Sequence, residues 1–160
     1  MTALPDRPIS GLIALCFILS GLFAAPAFSQ ESGYDAQLAE KLGADANGMK
    51  KYVMAFLYRG ERTSEYTTEQ RSEIQKGHMG HINSMAESGK LIMAGPFFGN
   101  EDLRGIFVFD VDDLEEAKSL TAQDPAVAAG VLKMELREWY GPAALLLLSE
   151  FHPKLTKPSN

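Results

Sequence analysis

The chain has 160 residues, a formal net charge of −6 at pH 7 and 46% hydrophobic residues. Lysine and arginine form no basic block interleaved with aromatic residues, so the composition argues against a nucleic-acid partner. A chain of this length is expected to form one compact domain, and no linker or low-complexity segment divides it.

The first 29 residues have the plan of a secretory signal peptide. Arg7 precedes the apolar run ISGLIALCFILSGLF, and the small residues of AAPAFSQ suit cleavage after Ser29, or after Ala27. A retained anchor is the alternative, but the run is shorter than the roughly 20 residues that a spanning helix needs. We therefore predict a bacterial protein that is exported to the periplasm or secreted and has no membrane partner after cleavage. Cleavage removes Cys16, the single cysteine, so the mature chain has no thiol chemistry.

Four segments rich in β-branched and aromatic residues predict β-strands. They are residues 50–60, 90–97, 103–111 and 130–140. In the first segment both alternating sets of side chains are apolar, which indicates a strand that is covered on both faces. These sets are Val53, Ala55 and Leu57 on one face and Tyr52, Met54 and Phe56 on the other.

The helical signals are caps and breakers at the ends of amphipathic segments. One long helix is expected to begin at a capping box of Thr67 and Gln70 and to end at Gly89. A second is expected to begin at Asp112 with Glu115 and to end before Pro125. The segment 30–49 adds a short helix at 34–45 and a turn, and the segment 142–160 adds an apolar helix and a tail. The order of strands and helices over residues 50–141 predicts an α+β domain with a ferredoxin-like βαββαβ sheet.

The predicted sheet has one face more than its helices can cover. Both long helices lie on the same face of a βαββαβ sheet, whereas the first strand is apolar on both. A second copy of the chain is the simplest cover for a whole apolar face, so we predict a homodimer with the sheets face to face. A monomer with scattered surface aromatics is the alternative.

Two histidines lie on the inward stripe of the first long helix. His78 and His81 share this stripe with Ile74, Ile82 and Met85, whereas Met79 is expected to point elsewhere. A metal site needs three or four ligands and the third histidine, His152, lies in the tail, so we expect no metal. Two interpretations stay open: half-buried histidines bonded to backbone carbonyls, or one neutral histidine acting as a general base beside a carboxylate.

Three further positions allow both a structural and a functional interpretation. Asp124 is a candidate carboxylate partner, although an Asp-Pro after a helix commonly caps a turn. Gly95 and Pro96 either stop a strand or let the backbone approach a ligand closely. Trp139 either lines a pocket mouth or packs at a strand end. The sequence has no phosphate loop, serine elbow or dinucleotide fingerprint, so no organic cofactor is expected.

The chain resembles the YCII-related domain family over roughly residues 50–140. The resemblance lies in a histidine eleven residues before the glycine of GKLIMAGP, then DLRGIFVFDV, a helix, DPAVAAG and a final strand. It implies a dimeric α+β barrel and places the family's active-site dyad on His78 and Asp124. His81 falls where other members often carry a different residue. We expect substrate contacts from Gly95, Pro96, His81 and Trp139.

The resemblance also implies a class of chemistry, because a few relatives are dehydrochlorinases of chlorinated hydroxylated aromatics. We therefore predict a cofactor-independent acid–base enzyme of the lyase, isomerase or dehydrochlorinase type. It would act on a small cyclic or aromatic substrate through His78 and Asp124. The alternatives are a non-catalytic periplasmic protein that binds a small ligand or responds to stress, and an interaction module with a closed core around His78.

Overall fold

The structure is a computed structural model that describes residues 33–157. The predicted signal peptide lies outside the described residues. The helices and strands, in chain order, are α1 (Ala36–Lys41), β1 (Met49–Arg59), α2 (Thr68–Glu87), β2 (Leu91–Pro96), β3 (Leu103–Phe109), α3 (Leu114–Ala122), α4 (Pro125–Ala128), β4 (Leu132–Pro142) and α5 (Leu148–Leu155). Two 3₁₀ turns lie at Glu61–Glu65 and Ala143–Leu147. Of the helices described, none has the length and apolar character that crossing a membrane requires.

The four strands form one antiparallel sheet in the order β2-β3-β1-β4. The central strand β1 pairs with β4 over its whole length, from Met49 opposite Pro142 to Arg59 opposite Leu132. The helix α2 connects β1 to β2, and α3 with α4 connects β3 to β4. This order of elements and strands is the ferredoxin-like α+β fold, which confirms the predicted fold class.

The core lies between the sheet and the helices α2 and α3. Ala55 of β1 is opposite Phe107 of β3 and Leu136 of β4, and residues directly opposite in an antiparallel pair point to the same face. The buried hydrophobic cluster on this face contains residues of the sheet and of both helices. Its members are Val53, Ala55, Leu57, Met85, Leu91, Phe107, Phe109, Val111 and Ala117.

The long helix α2 begins and ends where the sequence predicts. The Thr67 hydroxyl accepts from the Gln70 amide at 3.3 Å, and the Gln70 side chain accepts from the Thr67 amide at 2.9 Å. After Ser88, Gly89 adopts a φ of 74°, which glycine reaches without the steric cost of a Cβ. The capping box and the glycine stop are therefore both confirmed, and they fix which residues of α2 face the sheet.

The start of α3 differs from the prediction by one residue. The N-cap is Asp113, whose carboxylate accepts from the Glu116 amide at 2.9 Å, and the Asp112 amide instead donates to the Glu116 side chain at 3.1 Å. Pro125 ends α3 as predicted, but it also opens the short helix α4, which the sequence interpretation missed. Proline suits the first helical position because that amide needs no partner within the helix.

The N-terminal segment is attached to the end of β4. The Tyr140 hydroxyl donates to the Asp45 carboxylate, which also accepts from the amides of Asn47 and Met49. These bonds favour the charged carboxylate and lower the pKa of Asp45, the hydroxyl of Tyr140 contributing most. The turn before β1 is thereby fixed to the far edge strand.

The second face of the sheet is partly covered. Tyr52 and Val108 are buried there, and the Tyr52 hydroxyl donates to the Pro142 carbonyl at 3.1 Å. Near them, Met54, Phe56 and Ile106 are only half-buried. The C-terminal 3₁₀ turn contacts β1, and α5 contacts β2. The middle of this face therefore presents apolar side chains to solvent in the single chain.

Replacing Thr67 by alanine is expected to lower the free energy of unfolding by about 1 kcal/mol, because the first turn of α2 loses the side-chain acceptor of its capping box. Urea denaturation monitored by circular dichroism measures the change. Thr68→Ala is the matched control, since Thr68 is exposed and is not the cap. Equal midpoints for Thr67→Ala and the wild type would contradict the expected contribution of the box.

Candidate active site

His78 and Asp124 form a buried pair between α2 and the start of α4. The Nδ1 atom of His78 lies 2.7 Å from Oδ2 of Asp124. Asp124 is fully buried, and His78 is 7% exposed. The two residues that the sequence nominated, 46 positions apart, are therefore in direct hydrogen-bond contact.

Asp124 divides its carboxylate between two tasks. Its Oδ1 accepts from the Ala126 amide at 2.8 Å as the N-cap of α4, and its Oδ2 bonds the imidazole. The sequence left a turn cap and a histidine partner as alternatives, and the geometry shows both contacts at once. Gly77 allows the approach of the two helices, because a Cβ there would lie 3.0 Å from the ring of Pro125.

The pairing determines which ring nitrogen of His78 is left without a protein partner. An ionised carboxylate only accepts, so the neutral imidazole carries its proton on Nδ1 and leaves Nε2 as an acceptor. Within residues 33–157, Nε2 has no protein hydrogen-bond partner, and no fully buried side-chain nitrogen or oxygen lacks one. Nε2 therefore has surface access, and His78 lines a cavity. Phe107 stacks on the ring with centroids 6.1 Å apart and 19° between planes.

The cavity has a volume of about 330 Å³ and lies between α2 and the ends of the strands. Its lining is mainly apolar, with polar groups from Gln75, His78 and Arg104. The full lining is Leu57, Gln75, His78, Met79, Ile82, Ala94, Gly95, Pro96, Arg104, Gly105, Phe107 and Leu132. Gly95 and Pro96, which the sequence predicts as substrate contacts, thus share a cavity with His78. Asp124 is not part of the lining and lies behind the histidine.

The structure does not bring His81 and Trp139 into this cavity. The Nε2 atom of His81 lies 2.9 Å from the carbonyl oxygen of Leu120, so the ring connects α2 to α3. Trp139 is opposite Tyr52 in the sheet, and their rings pack with centroids 5.9 Å apart on the second face. Neither His81 nor Trp139 lines this cavity, because one ring is bonded to α3 and the other lies on the second face. The substrate contacts predicted for them stay predictions.

Among the lining residues that the sequence interpretation did not nominate, three are informative. Gln75 and Met79 lie seven and three residues before Ile82 on α2, so helical spacing places them beside that residue, at the border of the inward stripe. Met79 was expected to point elsewhere; it borders the cavity while 45% exposed. The third residue, Arg104, stands in an apolar strand, and its charge in that context was the available signal.

The described residues offer no ready metal centre. Among positions 33–157, no three or more His, Cys, Asp and Glu side chains are grouped so that they would hold an ion. The site contains an imidazole whose Nδ1 is held by a buried carboxylate and whose Nε2 can accept a proton. Such an arrangement is suited to proton transfer with a ligand in the cavity.

Replacing Asp124 by asparagine is expected to reverse the tautomer of His78. The asparagine oxygen can still accept from Ala126, and its amide then donates to Nδ1, so the neutral ring carries its proton on Nε2. Long-range ¹H–¹⁵N correlation spectra distinguish the two tautomers. Asp124→Ala is the structural comparison and is expected to cost about 1–3 kcal/mol for each buried donor left unpaired. An unchanged tautomer in Asp124→Asn would contradict the assignment.

The chain is similar to two known proteins and matches one family model. The uncharacterized protein YjpA of Bacillus subtilis (strain 168) is 32% identical over 73 residues, which are 46% of this chain and 84% of the relative. The solved structure of 5-chloro-2-hydroxyhydroquinone dehydrochlorinase (TftG) from Burkholderia phenoliruptrix AC1100, in complex with 2,5-dihydroxybenzoquinone, aligns at a TM-score of 0.42 and 14% identity. That alignment covers 56% of this chain and 93% of the other. The model of the YCII-related domain matches residues 52–140, more than half of the chain, and the protein belongs to this family.

Proposed function

We propose that this protein is an acid–base enzyme in which His78 moves a proton on a small cyclic or aromatic substrate bound in the cavity. One observation carries the proposal: a histidine whose Nδ1 is paired with a fully buried carboxylate lines a cavity of about 330 Å³. A cavity of this size is at the small end of ligand sites, so the substrate is a small molecule.

The pair supplies the parts of a general base. Nε2 of His78 accepts a proton from the substrate, and the imidazolium that forms is stabilised by the carboxylate of Asp124 at 2.7 Å. The bond to Asp124 and the stacking of Phe107 hold the ring in one orientation, so little ordering is needed at the moment of transfer.

The reaction class depends on what happens to the electron pair that the substrate keeps when His78 removes the proton. If His78 returns the proton to a different atom of the substrate, the product is an isomer. If a chloride or another leaving group departs with its bonding electrons, the net loss is a proton and an anion, which is an elimination. The family resemblance adds dehydrochlorination to these classes, and the acid–base step on His78 is common to all of them.

Replacing His78 by glutamine is expected to reduce turnover by roughly 100-fold or more, because the proton acceptor is lost. The substrate panel is a set of chlorinated and unchlorinated hydroxylated aromatics and small lactones, with products measured by mass spectrometry and proton exchange followed in D₂O. His152→Gln is the matched control, since His152 is exposed on α5. Undiminished turnover in folded His78→Gln would refute the proposed base.

A different result of the same screen would favour the non-catalytic alternative. A panel member that stabilises the wild type in thermal unfolding and is recovered unchanged, without exchange of its protons, is bound and not converted. His78 would then be a hydrogen-bonding group for the ligand. Detection of any product that depends on His78 rules this alternative out.

We also propose that the protein is a homodimer with the second faces of two sheets in contact. The half-buried apolar side chains of Met54, Phe56 and Ile106 support this, since they form a contiguous patch across β1 and β3. The proposal that the protein is exported rests on the sequence of residues 1–29, which lie outside the described residues.

Phe56→Lys is expected to shift the protein from dimer to monomer, because the change would bury a charge at the contact. In the single chain the lysine lies opposite Glu135, so the monomer fold is preserved. Analytical ultracentrifugation measures the mass, and Phe56→Leu is the apolar control. A wild type that remains monomeric at high micromolar concentration would contradict the proposed dimer.

A further inference from the structure

We propose that the cavity selects a small organic carboxylate and that Arg104 binds its anionic group. The inference rests on the proposed function only in that both use the cavity lined by His78. It names the chemical class of ligand and a specificity-determining residue, and its test measures binding and not turnover.

Arg104 lines the cavity at a point where the register of the sheet is irregular. Leu57 is opposite Gly105 and Tyr58 is opposite Leu103, so Arg104 is an additional residue on β3 at this point. Such a bulge redirects a side chain, and bulges are frequent beside functional sites. Arg104 lies next to Gly105 on the face that carries the cavity, and it is half-buried.

The guanidinium is fixed from one side and open on the other. Its Nη1 donates to the carbonyl oxygens of Gly99 and Glu101 in the β2–β3 connection, each at 3.3 Å. In the described part of the chain, Nε and Nη2 have no hydrogen-bond partner, and no carboxylate forms an ion pair with Arg104. The edge formed by Nε and Nη2 is the one that binds both oxygens of a carboxylate in parallel.

The other residues of the lining are uncharged and mainly apolar, which strengthens the attraction of the Arg104 guanidinium for an anion. With His78 neutral, Arg104 is the single charged side chain among the residues that line the cavity, although the chain as a whole carries a net charge of −6. The neighbouring surface is largely apolar, including Leu57, Phe107 and Leu132. A cation beside apolar surface is screened less than in water, so it attracts an anion more strongly.

The number of donors favours a carboxylate over a phosphate. A phosphoryl group carries up to two charges near neutral pH and is usually held by several donors, such as a helix N-terminus with added cations. This lining offers one guanidinium, the amide of Gln75 and the edge of His78. One planar fork suits one planar carboxylate, and the apolar wall suits the hydrocarbon part of the ligand.

The test compares benzoate with benzamide, which has nearly the same shape and no charge. Each is titrated into the ¹⁵N-labelled protein, and dissociation constants are taken from the shifts of the cavity amides, including Gly95 and Gly105. The wild type is expected to bind benzoate roughly tenfold or more tightly than benzamide, since hydrogen bonds to charged groups are the stronger ones. Arg104→Gln is expected to remove this preference, and Arg104→Lys is expected to keep part of it.

A matched charge control and the choice of readout make the result specific. Lys118→Gln removes one positive charge from an exposed position of α3, and it is expected to retain the preference for benzoate. The readout is ligand affinity and not turnover, so failure of the proposed catalysis leaves the carboxylate preference standing. Absence of saturable benzoate binding by the wild type, equal affinity for benzoate and benzamide, or unchanged benzoate affinity in folded Arg104→Gln would each overturn the assignment of Arg104.

Discussion

The carboxylate of Asp124 is the group on which the arrangement of the site depends. A fully buried carboxylate is costly unless its oxygens accept hydrogen bonds, and those donors come from the Ala126 amide and the His78 ring. The bond from the Ala126 amide fixes the start of α4, and the bond from the His78 ring fixes the rotation of α2 and its position along its axis. Any movement of α2 along its axis would leave a buried oxygen without its partner, so the same contact that orients the imidazole also positions the helix.

The cavity exists because β2 ends where it does. Pro96 cannot donate to a ladder, and its strand ends beside Gly105, where a Cβ would lie 2.6 Å from the carbonyl oxygen of Gly95. The two backbones therefore meet closely at this point, with no side chain from Gly105 to fill the space under α2. Further along β3, Phe107 and Phe109 fill the same layer and close the core. On β3, the missing side chain of Gly105 leaves space for the cavity, whereas the rings of Phe107 and Phe109 fill the core.

Local signals in the sequence predicted most of the fold. The alternation in β1, the Thr67–Gln70 box and the Gly89 stop depend on neighbours in the chain, and each appears in the structure as predicted. The helical phase placed His78 inside, but spacing alone left its function open, and the resemblance to a family nominated Asp124. A contact across 46 positions depends on how helices pack, which periodicity does not encode.

The positions of Trp139, His81 and Arg104 differ from the sequence prediction because they also depend on tertiary register and packing. Trp139 was expected at the pocket, but it lies opposite Tyr52, and this register turns it to the second face. His81 was expected near the substrate, but its Nε2 is bonded to the Leu120 carbonyl. Arg104 was overlooked because a bulge shifts the alternation of β3 by one residue, and no local pattern marks that bulge. Tertiary register and packing decided all three positions.

His78 and Arg104, the two ionisable residues of the lining, differ in how their charge is balanced. Asp124 neutralises the imidazolium that forms when His78 takes a proton, so the proposed base gains a charge without leaving a net one on the pair. The electron pair left on the substrate has no such partner at His78. The guanidinium of Arg104 is the permanent cation in the lining and is held to the Gly99 and Glu101 carbonyls before any ligand arrives. A conjugated carboxylate bound there would spread the developing charge towards a fixed cation, which joins ligand selection and stabilisation of the reacting state in one residue.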